Sequence, residues 1–235
     1  LAPWNYEKET NLSKQYPLIV YLHYAGGAGK ISDLKFLGYD SKNLFTNSQA
    51  LDFQLNYPCF VLAPQTNDQW DNDKLISLIE KFKKNNRIDT SRIYLIGYSM
   101  GGSGSYALAN AYYQNNKHLF AGIIRLAGQS QTTLEDSIVK NTSVWLHIGL
   151  KDSDLRIQVT REAYDFLKNK HPHAIETESK VNISPYSGTT LTLTEDGIEV
   201  AKKTEYNNVG HGINSLPFAD EYLLKWLFNQ KIKVP

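Results

Sequence analysis

Gly97-Tyr98-Ser99-Met100-Gly101 has the residue types and spacing to turn an ordinary hydroxyl into a nucleophile. A serine attacks a carbonyl when the backbone aims it outward, a base takes its proton, and amides hold the charge that develops on oxygen. G-x-S-x-G meets the first need where it joins a strand to a helix, because the sharp turn lifts the serine above the sheet edge. Residues 92–97 read as that strand, and a helix is expected from about residue 101 to residue 115. The start of that helix offers its positive dipole end and the Met100 N–H to an oxyanion. The competing reading is a glycine-rich turn with a chance serine. The flanking elements, with Gly102 and Gly104, weigh against it.

In a fold with this turn, the acid and base follow the serine in the order Asp or Glu, then His. Five of the six histidines come after Ser99. His147 lies within an apolar strand and reads as core. His171 and His173 flank Pro172 just past a helix and read as surface or cap residues, and His118 falls in a polar loop. His211 stands in Asn208-Val209-Gly210-His211-Gly212, after a strand and before the last helix, where flanking glycines let a loop deliver the imidazole. His211 is therefore the expected base. The acid is expected beyond the strand 144–149. Asp152 is favoured there over Asp154, and helix capping is the plain alternative for both. The acid would hold the imidazole tautomer and stabilise its charged form.

A second oxyanion donor is expected from the loop His23-Tyr24-Ala25-Gly26-Gly27-Ala28-Gly29, with the Ala25 amide as first choice and Tyr24 as the alternative. His23 ends the preceding strand and reads as structural. Tyr24, Tyr98 and Trp70 are the expected substrate-binding aromatics, although Trp70 also suits an ordinary core.

The elements that must carry these residues alternate in kind. Strands are expected at 17–23, 60–63, 92–97, 121–126 and 144–149, and further helices at 71–84, 156–170 and 218–229. That alternation predicts an α/β fold, a twisted and mostly parallel sheet with helices on both faces, as one domain over 1–235. Residues 189–194 and 198–206 read as a strand pair around Glu195-Asp196-Gly197, either a family elaboration or a local lid. The polar segment 177–190, with Pro185 and Gly188, reads as a loop or small insertion.

The chain has 235 residues, enough for a substantial core. Its net charge of +1 gives no footing for a nucleic acid or an anionic membrane surface. Lys81, Lys83 and Lys84 read as a solvated helix face. No run approaches the roughly 20 apolar residues of a membrane span. Cys59 is the only cysteine, so no intramolecular disulfide is expected, and its apolar setting suits a buried thiol. The chain begins at Leu1, which reads as a trimmed N-terminus, and a secreted or periplasmic location is favoured over a cytoplasmic one. The oligomeric state is left open.

Four segments carry a resemblance to a known group: residues 22–27, Ala63-Pro64-Gln65, residues 88–102 and His147-Ile148-Gly149-Leu150-Lys151-Asp152, joined by Gly210-His211-Gly212. The chain resembles the α/β-hydrolase superfamily. Within it, the likeness is to the esterase branch of feruloyl esterase-like, polyhydroxybutyrate depolymerase-like and phospholipase/carboxylesterase-like or "predicted peptidase" proteins. The resemblance implies the α/β-hydrolase fold and ester hydrolysis through an acyl-enzyme, without metal or organic cofactor. The implied substrates are short-chain or aromatic acyl esters, including those of carbohydrates. Such proteins usually read His-Gly after the first strand, whereas here Tyr24 replaces the glycine, which would narrow the oxyanion loop or shape the acyl pocket. A serine peptidase on the same fold and a catalytically silent binding protein are the alternatives. The intact set Ser99, Asp152 and His211 argues against the silent protein.

Overall fold

Eight strands form one sheet in the computed structural model, which describes residues 1–29, 49–114 and 118–232. In chain order they are β1 (Tyr16–Leu22), β2 (Phe60–Leu62), β3 (Ile88–Tyr98), β4 (Gly122–Leu126), β5 (Ser143–Gly149), β6 (Ile175–Ile183), β7 (Tyr186–Glu195) and β8 (Ile198–Tyr206). Their order across the sheet is β2-β1-β3-β4-β5-β8-β7-β6. The pairs from β2 to β8 are parallel, and the last two pairs, β8 with β7 and β7 with β6, are antiparallel.

Parallel strands covered on both faces need apolar side chains on both, which is why their sequences read as unbroken hydrophobic runs. In β1, Leu18, Val20 and Leu22 enter one core cluster, while Ile19 and Tyr21 enter the other. The first cluster is closed by α2 (Asn72–Asn85), α3 (Met100–Gln114), α4 (Asp136–Val139) and α5 (Asp154–Lys170), through residues such as Ile79, Tyr112, Ile138 and Tyr164. The second is closed by α1 (Gln49–Asn56) and α6 (Glu221–Asn229), through Phe53, Leu223, Trp226 and Leu227. Each fully buried Leu or Ile of this kind contributes about 1.5–3 kcal/mol. Local signals set the ends of α2. The Asp71 side chain accepts the Lys74 amide at 3.0 Å, and Lys83 and Lys84 occupy the last turn.

The twisted, mostly parallel sheet with helices on both faces is as expected, and the described residues correct three details. The segment 177–190 is no loop: it forms most of β6 and the start of β7, paired without a register break. β6 is exposed along nearly its whole length, and Glu176, Glu178 and Lys180 give the segment its polar reading although Ile175, Val181 and Ile183 share one face. The strands before His211 are built into the sheet, with β8 directly against β5, and are not a lid. The helix after Ser99 starts one residue early, at Met100, and Asn115 lies outside the described residues. Among the described residues no helix is long and apolar enough to cross a membrane.

Register fixes where function can sit. Leu22 pairs with Gly97, Tyr98 with Leu126, Leu126 with His147, and Gly149 with Tyr206. The C-terminal ends of β1, β3, β5 and β8 therefore lie along one rim. The loops holding Ala25, Ser99, Asp152 and His211 all leave from that rim, where open α/β sheets take their ligands.

Candidate active site

Ser99 occupies the turn between β3 and α3 at φ 55°, a left-handed conformation that costs a non-glycine residue of order 1–3 kcal/mol. Its N–H donates to Leu126 O at 2.8 Å, which ties the turn to the end of β4. Helix and strand are too close at this turn for side chains. A Cβ at Gly97 would collide with the Gly101 carbonyl, and one at Gly101 with the Leu22 carbonyl. The glycines of the motif are thus steric requirements of the crossing.

His211 arrives on the loop after β8. Its approach is braced by Leu150 N–H to Tyr206 O at 2.9 Å and by Lys151 N–H to Val209 O at 2.7 Å. These bonds lock the loop after β8 to the loop after β5. Gly149 makes the contact feasible, since a Cβ there would meet the carbonyls of Val209 and Gly210. His211 Nδ1 stands 2.7 Å from Asp152 Oδ2, and Nε2 stands 2.8 Å from Ser99 Oγ. A carboxylate only accepts, so Nδ1–H donates to Asp152 and Nε2 is left to accept the Ser99 hydroxyl. The His211 side chain is 35% exposed and that of Asp152 only 2%, so solvent reaches the imidazole but not the carboxylate.

Asp152 is held on its second oxygen as well. Oδ1 accepts Ser153 N–H at 2.7 Å and Arg156 Nη1 at 3.2 Å. Arg156 also donates through Nη2 to Gln129 Oε1 at 2.8 Å, bridging the acid to the opposite wall of the site. Asp154 opens α5, exposed, after the N-cap Ser153. It is Asp152, then, that the fold brings to His211.

A cavity of about 480 Å³ opens beside Ser99, lined by Ala25, Met100, Trp70, Gln69, Gln129, Ser130 and Arg156, with Ser103, Gly104 and Ala107. Met100 is the first residue of α3, so its amide has no partner within the helix. Among the described residues neither the Met100 nor the Ala25 amide donates to a protein acceptor. Both residues line the cavity beside Ser99. The wall opposite is also fixed: Ser103 Oγ accepts the amides of Gln129 and Ser130 at 3.0 and 3.2 Å. Buried Arg125 lies 4.5 Å from the Tyr106 ring and donates to Ser130 O at 2.6 Å.

Of the three expected substrate-binding aromatics, Trp70 lines this cavity. Tyr24 and Tyr98 are not among its lining residues. Tyr98 is buried, stacked on His211 with ring centres 5.3 Å apart, and its hydroxyl donates to His211 O at 2.9 Å. Tyr24 packs edge-on against Tyr98 at 5.6 Å. His23 is fully buried beside Trp70, with Nδ1–H donating to Tyr24 O at 2.7 Å and Nε2 accepting Thr66 N–H at 3.1 Å. Burial holds its imidazole below the usual range, which keeps it neutral and structural.

The other histidines lie elsewhere. His147 is buried with Nδ1 3.0 Å from the Tyr206 hydroxyl, and His118 Nε2 is 3.1 Å from Thr142 Oγ1. His171, expected at the surface or as a cap, does end α5 but is buried, with Nδ1–H donating to Glu195 at 2.8 Å. His173 is exposed. Reasoning from sequence missed Arg156, Gln129 and Gln69. Of these only Arg156 carries a signal, its position four residues past Asp152 and so on the same side of the helix start. Among the described residues no three His, Cys, Asp or Glu side chains gather as a metal site would require.

A mostly parallel sheet, a strained serine turn after β3 and a rim that gathers serine, acid and histidine in that chain order define the α/β-hydrolase fold. Solved structures similar to this chain carry that fold under esterase names. A thermostable esterase matches at TM-score 0.67 and 24% identity over 98% of this chain and 58% of its own. An acetyl xylan esterase from Aspergillus awamori matches at 0.61 and 15% over 93% of this chain and 90% of its own. A ferulic acid esterase matches at 0.57 and 11% over 97% and 89% respectively. The chain thus spans 58% of the length of the thermostable esterase. No family model matches the sequence, and no curated protein matches it.

Proposed function

We propose that this protein is a serine carboxylic ester hydrolase working through an acyl-enzyme. The observation that carries the reading is the unbroken contact from Ser99 Oγ through His211 to Asp152, at 2.8 and 2.7 Å, beside two unused amides. Ser99 Oγ attacks the ester carbonyl while His211 Nε2 takes its proton, and Asp152 stabilises the imidazolium. The carbonyl oxygen becomes an oxyanion facing the Met100 and Ala25 amides. As the tetrahedral intermediate collapses, His211 returns the proton to the departing alcohol oxygen, leaving Ser99 acylated. Water, deprotonated by His211, then attacks the acyl group, and release of the carboxylic acid restores Ser99.

The substrate we infer is a short-chain or aromatic acyl ester, carried by a carbohydrate. Trp70 offers an apolar ring, while Gln69, Gln129 and Ser130 offer the mixed donors and acceptors that hydroxyl-rich groups need. The names of two structural neighbours, acetyl xylan esterase and ferulic acid esterase, support the same class.

The test is turnover of p-nitrophenyl acetate and covalent labelling by a fluorophosphonate probe, beside a Ser99→Ala variant. Ser99-dependent labelling and turnover are expected, followed by preference for acetyl-xylan or feruloyl esters over peptides in a substrate panel. Absence of both from the unaltered protein would end the enzyme reading. Better turnover of peptides than of esters would replace it with a peptidase.

A further inference from the structure

The two edges of the sheet are unlike. At one, β2 is three residues long, and Val61 exchanges both main-chain bonds with Leu1, at 3.0 and 2.9 Å. At the other, β6 runs for nine residues, Ile175–Ile183, and among the described residues its main chain bonds to β7 alone. Natural sheets blunt long edges with proline, bulges, short strands or charge. β6 has no proline, and its pairing with β7 has no bulge. It is charged, with Glu176, Glu178 and Lys180, but the signs are mixed, and Ile175 at its start is 70% exposed.

We propose that β6 pairs antiparallel with β6 of a second copy of this chain, about a two-fold axis through Ser179, joining two sheets into one. Outward-facing N–H and C=O groups alternate along a strand, so a symmetric antiparallel pair must place its axis on a residue rather than between two. With the axis at Ser179, Glu178 faces the partner's Lys180, Thr177 faces the partner's Val181, Ile175 faces the partner's Ile183, and Glu176 faces the partner's Asn182. Opposite charges and apolar pairs meet across strands, the arrangement that stabilises a ladder.

The neighbouring registers fail on the same rule. An axis at Glu178 or at Lys180 sets that residue against its own copy, and an axis at Thr177 sets Glu176 against the partner's Glu178. Moving the axis to Val181 avoids like charges but loses the ion pair and leaves Ile175 unmatched. One register is therefore specified by the side chains. A single strand pair sits at the low end of the roughly 1,200–2,000 Å² of specific interfaces, so a concentration-dependent equilibrium is expected.

Sedimentation velocity across a concentration series tests this on the full chain, with circular dichroism confirming folding of each variant. Monomer and dimer in exchange are expected. Glu178→Lys should shift the equilibrium to monomer by charge repulsion, and Glu178→Lys combined with Lys180→Glu should restore the dimer. The Ser179→Cys variant should cross-link under mild oxidation, while Thr177→Cys, which faces the partner's Val181, should not. Cys59 is buried and does not compete. A chain that stays monomeric at every concentration overturns the proposal. So does a dimer indifferent to charge reversal that also fails to cross-link through position 179.

Discussion

The Tyr98 ring lies against the His211 imidazole at 5.3 Å and 30°, and the Tyr98 hydroxyl donates to the His211 carbonyl at 2.9 Å. Tyr98, the residue beside Ser99, thus holds His211 both by its ring and by the main chain. Burial pushes the phenol up to about 12, so it keeps its proton wherever ester turnover would be measured. Tyr98→Phe keeps the stack and removes one hydrogen bond worth about 1 kcal/mol. We expect kcat to fall by about 3- to 10-fold with KM unchanged, read by steady-state p-nitrophenyl acetate hydrolysis. A rise in KM at constant kcat would return Tyr98 to a substrate-contact role.

Gly149 sits where the loop after β5 meets the loop after β8. A Cβ there would strike the main-chain carbonyls of Val209 and Gly210, which no side-chain rotation can relieve. Gly149→Ala should therefore cost about 1–3 kcal/mol of stability, in the range of overpacked sites, and should displace His211 from Ser99. The expected outcome is a lowered melting temperature together with a loss of turnover larger than the loss of folded protein. An alanine variant with the original melting temperature and activity would show that the loops separate freely.

The serine turn was legible in the sequence because its chemistry and its sterics use the same residues. Gly97 and Gly101 are imposed by the crossing of β3, α3 and β1, so the motif reports the geometry directly. His211 was legible by its glycines and its place after a strand. Asp152 was harder, since Asp154 shares its neighbourhood and only the locked loops decide which carboxylate meets the imidazole. Tyr98 lies outside the lining of the cavity beside Ser99 because its ring turns back against His211, which its adjacency to Ser99 in the sequence does not show. β6 was hidden for another reason: Glu178, Ser179 and Lys180 make the segment polar, and the alternate positions Thr177, Val181 and Ile183 carry only a sparse apolar signal. Arg156 and Gln129 meet only through tertiary contact, and nothing in their spacing joins them.

Stability should depend on His147 at mildly acid pH. Its imidazole is buried between the Trp145 and Tyr206 rings, and burial, with Lys202 as a lesser cause, pushes it down from 6.5 to about 3. Below about pH 6.5 the unfolded chain takes up a proton that the folded chain refuses until about pH 3, so the unfolded state binds more protons throughout that window. Stability therefore falls as pH falls there, by up to about 1.4 kcal/mol per pH unit for one proton. His147→Phe keeps an aromatic ring and cannot protonate. The urea midpoint of this variant should drop less than that of the unaltered chain between about pH 6.5 and about pH 4.5. Equal drops would show that His147 is not a source of the acid sensitivity.

The role assigned to Asp152 predicts a loss of rate without a loss of fold. Its Oδ1 is bound by the Ser153 amide and Arg156, and its Oδ2 by His211, so an amide of the same shape can keep Oδ1 as an acceptor while presenting NH2 to the imidazole. His211 Nδ1 must then accept rather than donate, which moves the ring proton to Nε2 and leaves Ser99 facing a donor. Asp152→Asn should lower kcat by about four orders of magnitude at neutral pH, with the melting temperature nearly unchanged. Asp152→Ala should be less stable than Asp152→Asn, because it removes the acceptor shared by the Ser153 amide and Arg156. Measuring both variants by ester hydrolysis and thermal unfolding separates the two roles of this carboxylate. An Asn variant retaining most of its activity would mean that His211 holds its working tautomer without Asp152.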